Sequence, residues 1–79
     1  MGHNINLKFI SWNVRGLNVR QKRLAVRQAF LLEKPDIVCI QETKLENVDD
    51  KLIIEICGKR LQQHQYLKAQ GTKGGIIVA

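Results

Sequence analysis

The chain has one proline and six glycines in 79 residues, set against 44% apolar residues. That balance excludes a collagenous chain and does not fit a disordered one, which lacks the apolar surface to offset ordering. No apolar run approaches the roughly 20 residues that span a bilayer, and the opening Met1-Gly2-His3-Asn4-Ile5 lacks the long apolar stretch of a secretory signal. The expectation is an intracellular globular protein without a membrane partner. Cysteine is scarce: Cys39 and Cys57 stand 18 positions apart in apolar surroundings, with no Cys-x-x-Cys pair. His3 and His64 have no metal-ligand spacing to them or to each other, so neither a disulfide framework nor a zinc site is predicted, and both cysteines read as small core residues. Familiar catalytic glycine motifs are missing too. The strand-end stretch Trp12-Asn13-Val14-Arg15-Gly16 has one glycine where a dinucleotide fingerprint needs three. Gly71-Thr72-Lys73-Gly74-Gly75 lacks the Gly-Lys-Ser/Thr that ends a P-loop, and no Gly-x-Ser-x-Gly is present.

What the chain does have is positive charge in one place. The formal net charge is +6, and residues 1–34 hold seven basic groups (Lys8, Arg15, Arg20, Lys22, Arg23, Arg27, Lys34) against Glu33 alone. Residues 35–79 carry six basic and six acidic groups and balance. A local basic field of this kind favours polyanions, nucleic acid foremost, or else forms a solvated helix face that keeps the protein soluble. At this length the chain makes one domain, 1–79, which buries only about 60% of the surface its unfolded form exposes.

The pattern alternates between strand and helix. Residues 7–14 are rich in β-branched and aromatic side chains, with apolar groups on both alternating faces, which predicts an interior strand covered on two sides. Trp12, alternating away from Asn13, reads as core. A helix is predicted from about Arg20 to Glu33, with Ala25, Val26, Ala29, Phe30 and Leu32 on its buried stripe and Pro35 closing it. Residues 36–42 form a second apolar strand, giving a βαβ unit with parallel strands. A second helix follows, capped by Asn47, with Val48, Leu52, Ile53, Ile56 and Cys57 facing inward and Gly58 ending it. Residues 65–69 read as an edge strand, residues 71–75 as a turn and residues 76–79 as a further strand. The apolar last residues, and two-faced strands with only two helices to cover them, predict that these 79 residues are the first part of a larger domain.

The βαβ geometry brings Asn13 and Glu42 to the carboxyl edge of a sheet, where α/β folds bind ligands. A carboxylate there can ligate a hard cation such as Mg²⁺, which takes one or two protein carboxylates plus water and phosphate oxygens, and an amide beside it can hold a phosphate oxygen or orient a neighbour. Taken alone, asparagine and glutamate are also ordinary strand-end residues.

Read together, Trp12-Asn13-Val14-Arg15-Gly16-Leu17-Asn18, then Pro35-Asp36-Ile37, then Gln41-Glu42-Thr43-Lys44, then Gly74-Gly75-Ile76-Ile77-Val78 closely resemble the opening of the endonuclease/exonuclease/phosphatase superfamily. The Arg-Gly-Leu-Asn continuation and basic first helix look most like the apurinic-type endonuclease domains of LINE-type non-LTR retrotransposons. The resemblance implies an α/β fold, the N-terminal βαβα-ββ portion of a four-layer DNase I-like sandwich. It further implies Mg²⁺-dependent (alternatively Mn²⁺-dependent) DNA phosphodiester cleavage, in the nucleus if the chain derives from a retrotransposon. By the same resemblance Glu42 is the metal ligand and Asn13 belongs to the active site. Arg15, Arg20 and Arg23 are expected on the DNA backbone, while Gln41 and Thr43 either support the metal site or pack the strand edge. Lys44 reads as solvated.

The family's tyrosine, Asp-x-Asn and Ser-Asp-His motifs have no counterpart here; Tyr66, His3 and His64 match none of them. The chain alone is therefore expected to be inactive. Two other functions stay open on the sequence: a basic nucleic-acid-binding module without chemistry, and a product with no function.

Overall fold

The computed structural model describes residues 6–61, 63–67, 69–70 and 74–79. Strand β1 (Phe9–Asn13) is followed by helix α1 (Arg20–Glu33), strand β2 (Ile37–Gln41), helix α2 (Asp50–Cys57), and strands β3 (Gln65–Leu67) and β4 (Ile76–Val78). The sheet runs β1-β2-β4-β3, with β1 and β2 parallel and in register from Phe9↔Ile37 to Asn13↔Gln41. β4 pairs antiparallel with both β2 and β3. The expected βαβ unit is present, and the later strands form a mixed sheet with β3 at its edge, as anticipated.

One expectation is corrected by this order. β1 is an outer strand, not an interior one, and both helices pack on the same face of the sheet. Ile10 and Trp12 turn toward the helices, where the Trp12 ring meets Phe30 edge-on at 6.2 Å, while Phe9 on the other face is 59% exposed. Ile37, Ile76 and Val78 share that open face by strand alternation and are exposed as well. Under the helices, Val38, Ile40 and Ile77 meet Val26, Ile53 and Ile56 in a buried core. A mixed four-stranded sheet with two helices on one face and apolar side chains on the other is consistent with an incomplete DNase I-like fold.

The stripe on α1 is also narrower than its sequence suggests. Val26 and Phe30 are buried, but Leu32 and Ala25 face solvent, as do Leu24 and Leu31. The half-buried positions beside Val26 and Phe30 are Ala29, as expected, together with Arg23 and Arg27, whose charged ends reach α2 at Glu55. Apolar periodicity cannot anticipate this, because a long basic side chain can lie along an apolar surface and carry its charge to a partner. Lys34 ends α1 in a left-handed conformation, its N–H bonded to the Phe30 carbonyl, and buried Pro35 follows.

Helix α2 is capped by Asp49 rather than Asn47: Asp49 is extended and its carboxylate accepts the Leu52 N–H at 2.8 Å. Gly58 closes the helix at φ +83, as its sequence position suggested. Cys57 is buried and burial pushes its thiol up to about 12. Cys39 departs from the core expectation, since it lies half-buried on the open face of the sheet. His3 and most of the turn expected over 71–75 lie outside the described residues.

Candidate functional site

Parallel pairing decides what meets at the carboxyl edge. Asn13 is opposite Gln41 in the register, so the residue after β2, Glu42, arrives beside the Asn13 side chain. Asn13 Nδ2 donates a hydrogen bond directly to Glu42 Oε2. Asn13 is exposed and Glu42 half-buried, so the pair is open to a ligand. The two residues singled out from the sequence are thus brought into contact.

The backbone around them is unusual for L-residues. Arg15, Glu42 and Lys44 all have φ between +54 and +57. Such left-handed conformations cost about 1–2 kcal/mol per residue and persist only where surrounding structure holds them. Here the hold is a ladder of main-chain bonds on both sides of residues 42–45. On the β1–α1 side, Gly16 N donates to the Glu42 carbonyl at 2.7 Å and Leu17 N to the Thr43 carbonyl at 2.8 Å. Asn18 Nδ2 adds a bond to the Lys44 carbonyl at 2.7 Å. On the β4 side, Thr43 N donates to the Gly75 carbonyl at 3.2 Å and Lys44 N to that of Gly74.

Thr43 is buried and its hydroxyl accepts the Leu45 N–H at 3.3 Å, so it is part of the turn that carries Glu42. Gln41 Nε2 donates to Ser11 Oγ at 2.9 Å across the open face, tying β1 to β2. Lys44 is exposed, as expected.

The three arginines expected on DNA separate. Arg15 is exposed in the loop directly after β1. Arg20 is 74% exposed, its Nε 4.0 Å from Glu55 Oε1. Arg23 turns inward and is only 17% exposed: its Nη1 donates to the carbonyls of Leu17 at 2.9 Å and Asn18 at 3.0 Å, and its Nε lies 3.4 Å from Glu55 Oε1. Its guanidinium fork is spent on the loop that backs Glu42.

A cavity of about 900 Å³ opens beside Glu42, lined among others by Glu46, Asp49, Tyr66 and Ile76 but not by Asn13. The sequence reading missed two contributors to this corner, Gly74 and Gly75. Their pairing in an apolar strand start was the available signal, because adjacent glycines often mark a close backbone approach.

The donor set decides which cation fits. Among the described residues no group of three or more His, Cys, Asp or Glu comes together. One carboxylate with a neighbouring amide does not suit zinc, which takes three or four protein ligands, but it suits a hard cation that keeps most of its waters.

Comparison with known proteins gives the family. "Recombination repair protein 1" of Drosophila melanogaster is 52% identical over 73 residues, covering 92% of this chain and 10% of that protein. "DNA repair nuclease APEX1" of Danio rerio is 35% identical over 74 residues, 94% of this chain and 23% of its own length. "Exodeoxyribonuclease" of Bacillus subtilis (strain 168) is 39% identical over 41 residues, 52% of this chain and 16% of that protein. The chain spans between a tenth and about a quarter of the length of these relatives. Residues 10–79 match the profile of the Endonuclease/Exonuclease/phosphatase family, and the aligned span contains all of β1 but Phe9, every later element, and both Asn13 and Glu42. This chain belongs to the endonuclease/exonuclease/phosphatase family.

Proposed function

We propose that this chain forms the cation- and phosphate-binding corner of a Mg²⁺-dependent DNA phosphodiesterase, with Mn²⁺ as the alternative metal. The observation that carries the reading is the Asn13–Glu42 hydrogen bond at the carboxyl edge of two parallel strands. Glu42 would hold the cation through its carboxylate, and Asn13 fixes that carboxylate by occupying Oε2. When bound, the metal supplies charge neutralisation on a scissile phosphate and on its leaving oxygen. Arg15 and Arg20, both exposed, would contact neighbouring phosphates and set the register of the strand. Arg23 acts at one remove, holding the loop that presents Arg15.

Cleavage asks for more than this corner holds. Among the described residues, no second carboxylate or histidine bonds to Asn13 or Glu42, so the pair has neither a general base nor a histidine for the scissile phosphate beside it. Binding without turnover is the expected behaviour of the chain by itself. The names of the relatives, two of them repair proteins and one an exodeoxyribonuclease, support DNA as the polymer. Supporting a LINE-type retrotransposon origin, and with it the nucleus, are the Arg15-Gly16-Leu17-Asn18 continuation and the basic α1.

The test is Mn²⁺ titration followed by amide NMR. Paramagnetic broadening should centre on Asn13 and residues 42–44 and vanish in Glu42→Gln; broadening that Glu42→Gln leaves in place refutes the assignment. Supercoiled DNA with Mg²⁺ should remain intact, and nicking that Glu42→Ala abolishes would show that the corner suffices for cleavage.

A further inference from the structure

Gly74 and Gly75 sit where β4 begins, against the turn that carries Glu42, and their geometry separates them. A Cβ on Gly75 would lie 2.5 Å from Thr43 Oγ1 and 3.2 Å from both Ala69 N and the Leu67 carbonyl oxygen, at a φ of +87. Nothing there can retreat cheaply, since two of the three atoms are backbone. Gly75 is a requirement of the fold.

Gly74 faces something else. A Cβ at this position would lie 3.1 Å from Glu42 Cα, 3.2 Å from Glu42 Cγ and 3.4 Å from Glu42 Cβ. All three atoms belong to one residue, and they are its root and stem rather than its free end. The Glu42 main chain has little room to give, because Gly16 N bonds its carbonyl at 2.7 Å and the next two N–H groups bond Gly75 and Gly74. Rotation about χ1 moves Cγ but neither Cα nor Cβ, so relief combines a shift of a few tenths of an ångström where the two backbones meet with rotation of the Glu42 side chain, and either displaces the carboxylate from Asn13.

We propose that Gly74 is a positioning residue for Glu42: the absence of a side chain at 74 is the space that lets the Glu42 carboxylate stand against Asn13. The inference rests on the reading of Glu42 as a cation ligand. Gly74 touches neither cation nor phosphate and acts through Glu42 alone. Loss of such supporting contacts around a ligand typically weakens metal affinity by about 10–100-fold.

The experiment uses the full chain. The Asn13 side-chain amide gives its own NMR resonance and reports its hydrogen bond to Glu42 with no metal present. In Gly74→Ala that resonance should move toward its position in Glu42→Ala, and the Mn²⁺ concentration giving half-maximal broadening at Asn13 should rise about tenfold. Gly58→Ala is the structural control: its φ is +83 but, among the described residues, its only neighbour within reach is Arg27 Nε at 4.0 Å, so it should lower the unfolding midpoint without moving Asn13. If Gly74→Ala is unfolded in buffer, both proteins are compared in trimethylamine N-oxide, which strengthens burial. An Asn13 resonance in Gly74→Ala at its wild-type position overturns the proposal. The two readings fail separately: absence of Mn²⁺ broadening in the wild type removes the cation reading, while the metal-free shift still decides whether Gly74 positions Glu42.

Discussion

Arg23 offers the sharpest separation between a side chain free to meet a polyanion and one that braces the loop beside Glu42. Replacing it with alanine removes the Nη1 bonds to the carbonyls of Leu17 at 2.9 Å and Asn18 at 3.0 Å, and the 3.4 Å contact of Nε with Glu55. Each carbonyl bond contributes about 1 kcal/mol net. The side chain is only 17% exposed, so lost packing of its stem adds to this, and a total of about 2–3 kcal/mol follows. With a urea m-value of about 1 kcal/mol/M for a chain of this size, the unfolding midpoint should fall by about 2–3 M. Trp12, the single tryptophan, packs edge-on against Phe30 at 6.2 Å and reports unfolding by fluorescence. Arg20→Ala is the companion: 74% exposed and 4.0 Å from Glu55, it should stay within about 0.5 kcal/mol of wild type and instead lower the salt dependence of DNA binding. Equal stability of the two variants, with the larger loss of salt dependence in Arg23→Ala, would refute the inward role of Arg23.

Three further outcomes are expected. Gly75→Ala should destabilise the chain by about 3 kcal/mol, from left-handed strain and the 2.5 Å approach to Thr43 Oγ1, and Thr43→Ala in the same chain should restore about 1 kcal/mol; strict additivity in urea titrations would count against that contact. Glu42→Gly should raise the unfolding midpoint slightly, because glycine takes φ +54 without cost, while removing Mn²⁺ broadening; a lowered midpoint would mean that Glu42 is not strained. Cys57 is neutral when folded up to about 12, against 9.0 for its ordinary value, so unfolded chains ionise first and stability should decline as pH rises from about 9 toward 12. Cys57→Ala should flatten that decline, and at pH 8 a thiol reagent should modify half-buried Cys39 well before Cys57, a ranking that mass spectrometry of the labelled chain reads directly.

How much was legible in advance varies with the kind of signal. The boundaries of α1 at Arg20 and Glu33 were readable because Pro35 forbids continuation and apolar residues recur at helical spacing. The Asn13–Glu42 meeting was readable because a βαβ unit forces parallel strands, and parallel strands end along one edge. The cap of α2 was misplaced by two residues, since Asn47 and Asp49 are both good caps and only the extended backbone at Asp49 decides between them. The destination of Arg23 was not legible at all. Its charge is identical in sequence to that of Arg20, and only the packing of α2 brings Glu55 near both while the loop carbonyls fall within reach of Arg23 alone.

The sequence by itself determined the order of strands and helices, the location of the basic excess and the two residues of the candidate site, because periodicity, punctuation and local motifs are properties of neighbours along the chain. Tertiary structure alone decided that β1 is an outer strand with Phe9 uncovered, that Arg23 turns onto the loop carbonyls of Leu17 and Asn18, and that Gly74 stands against the stem of Glu42. The physical reason is common to all three. Burial, hydrogen-bond partnership and close approach depend on which distant segment arrives opposite a residue, and residues 42 and 74 meet only when β4 pairs with β2.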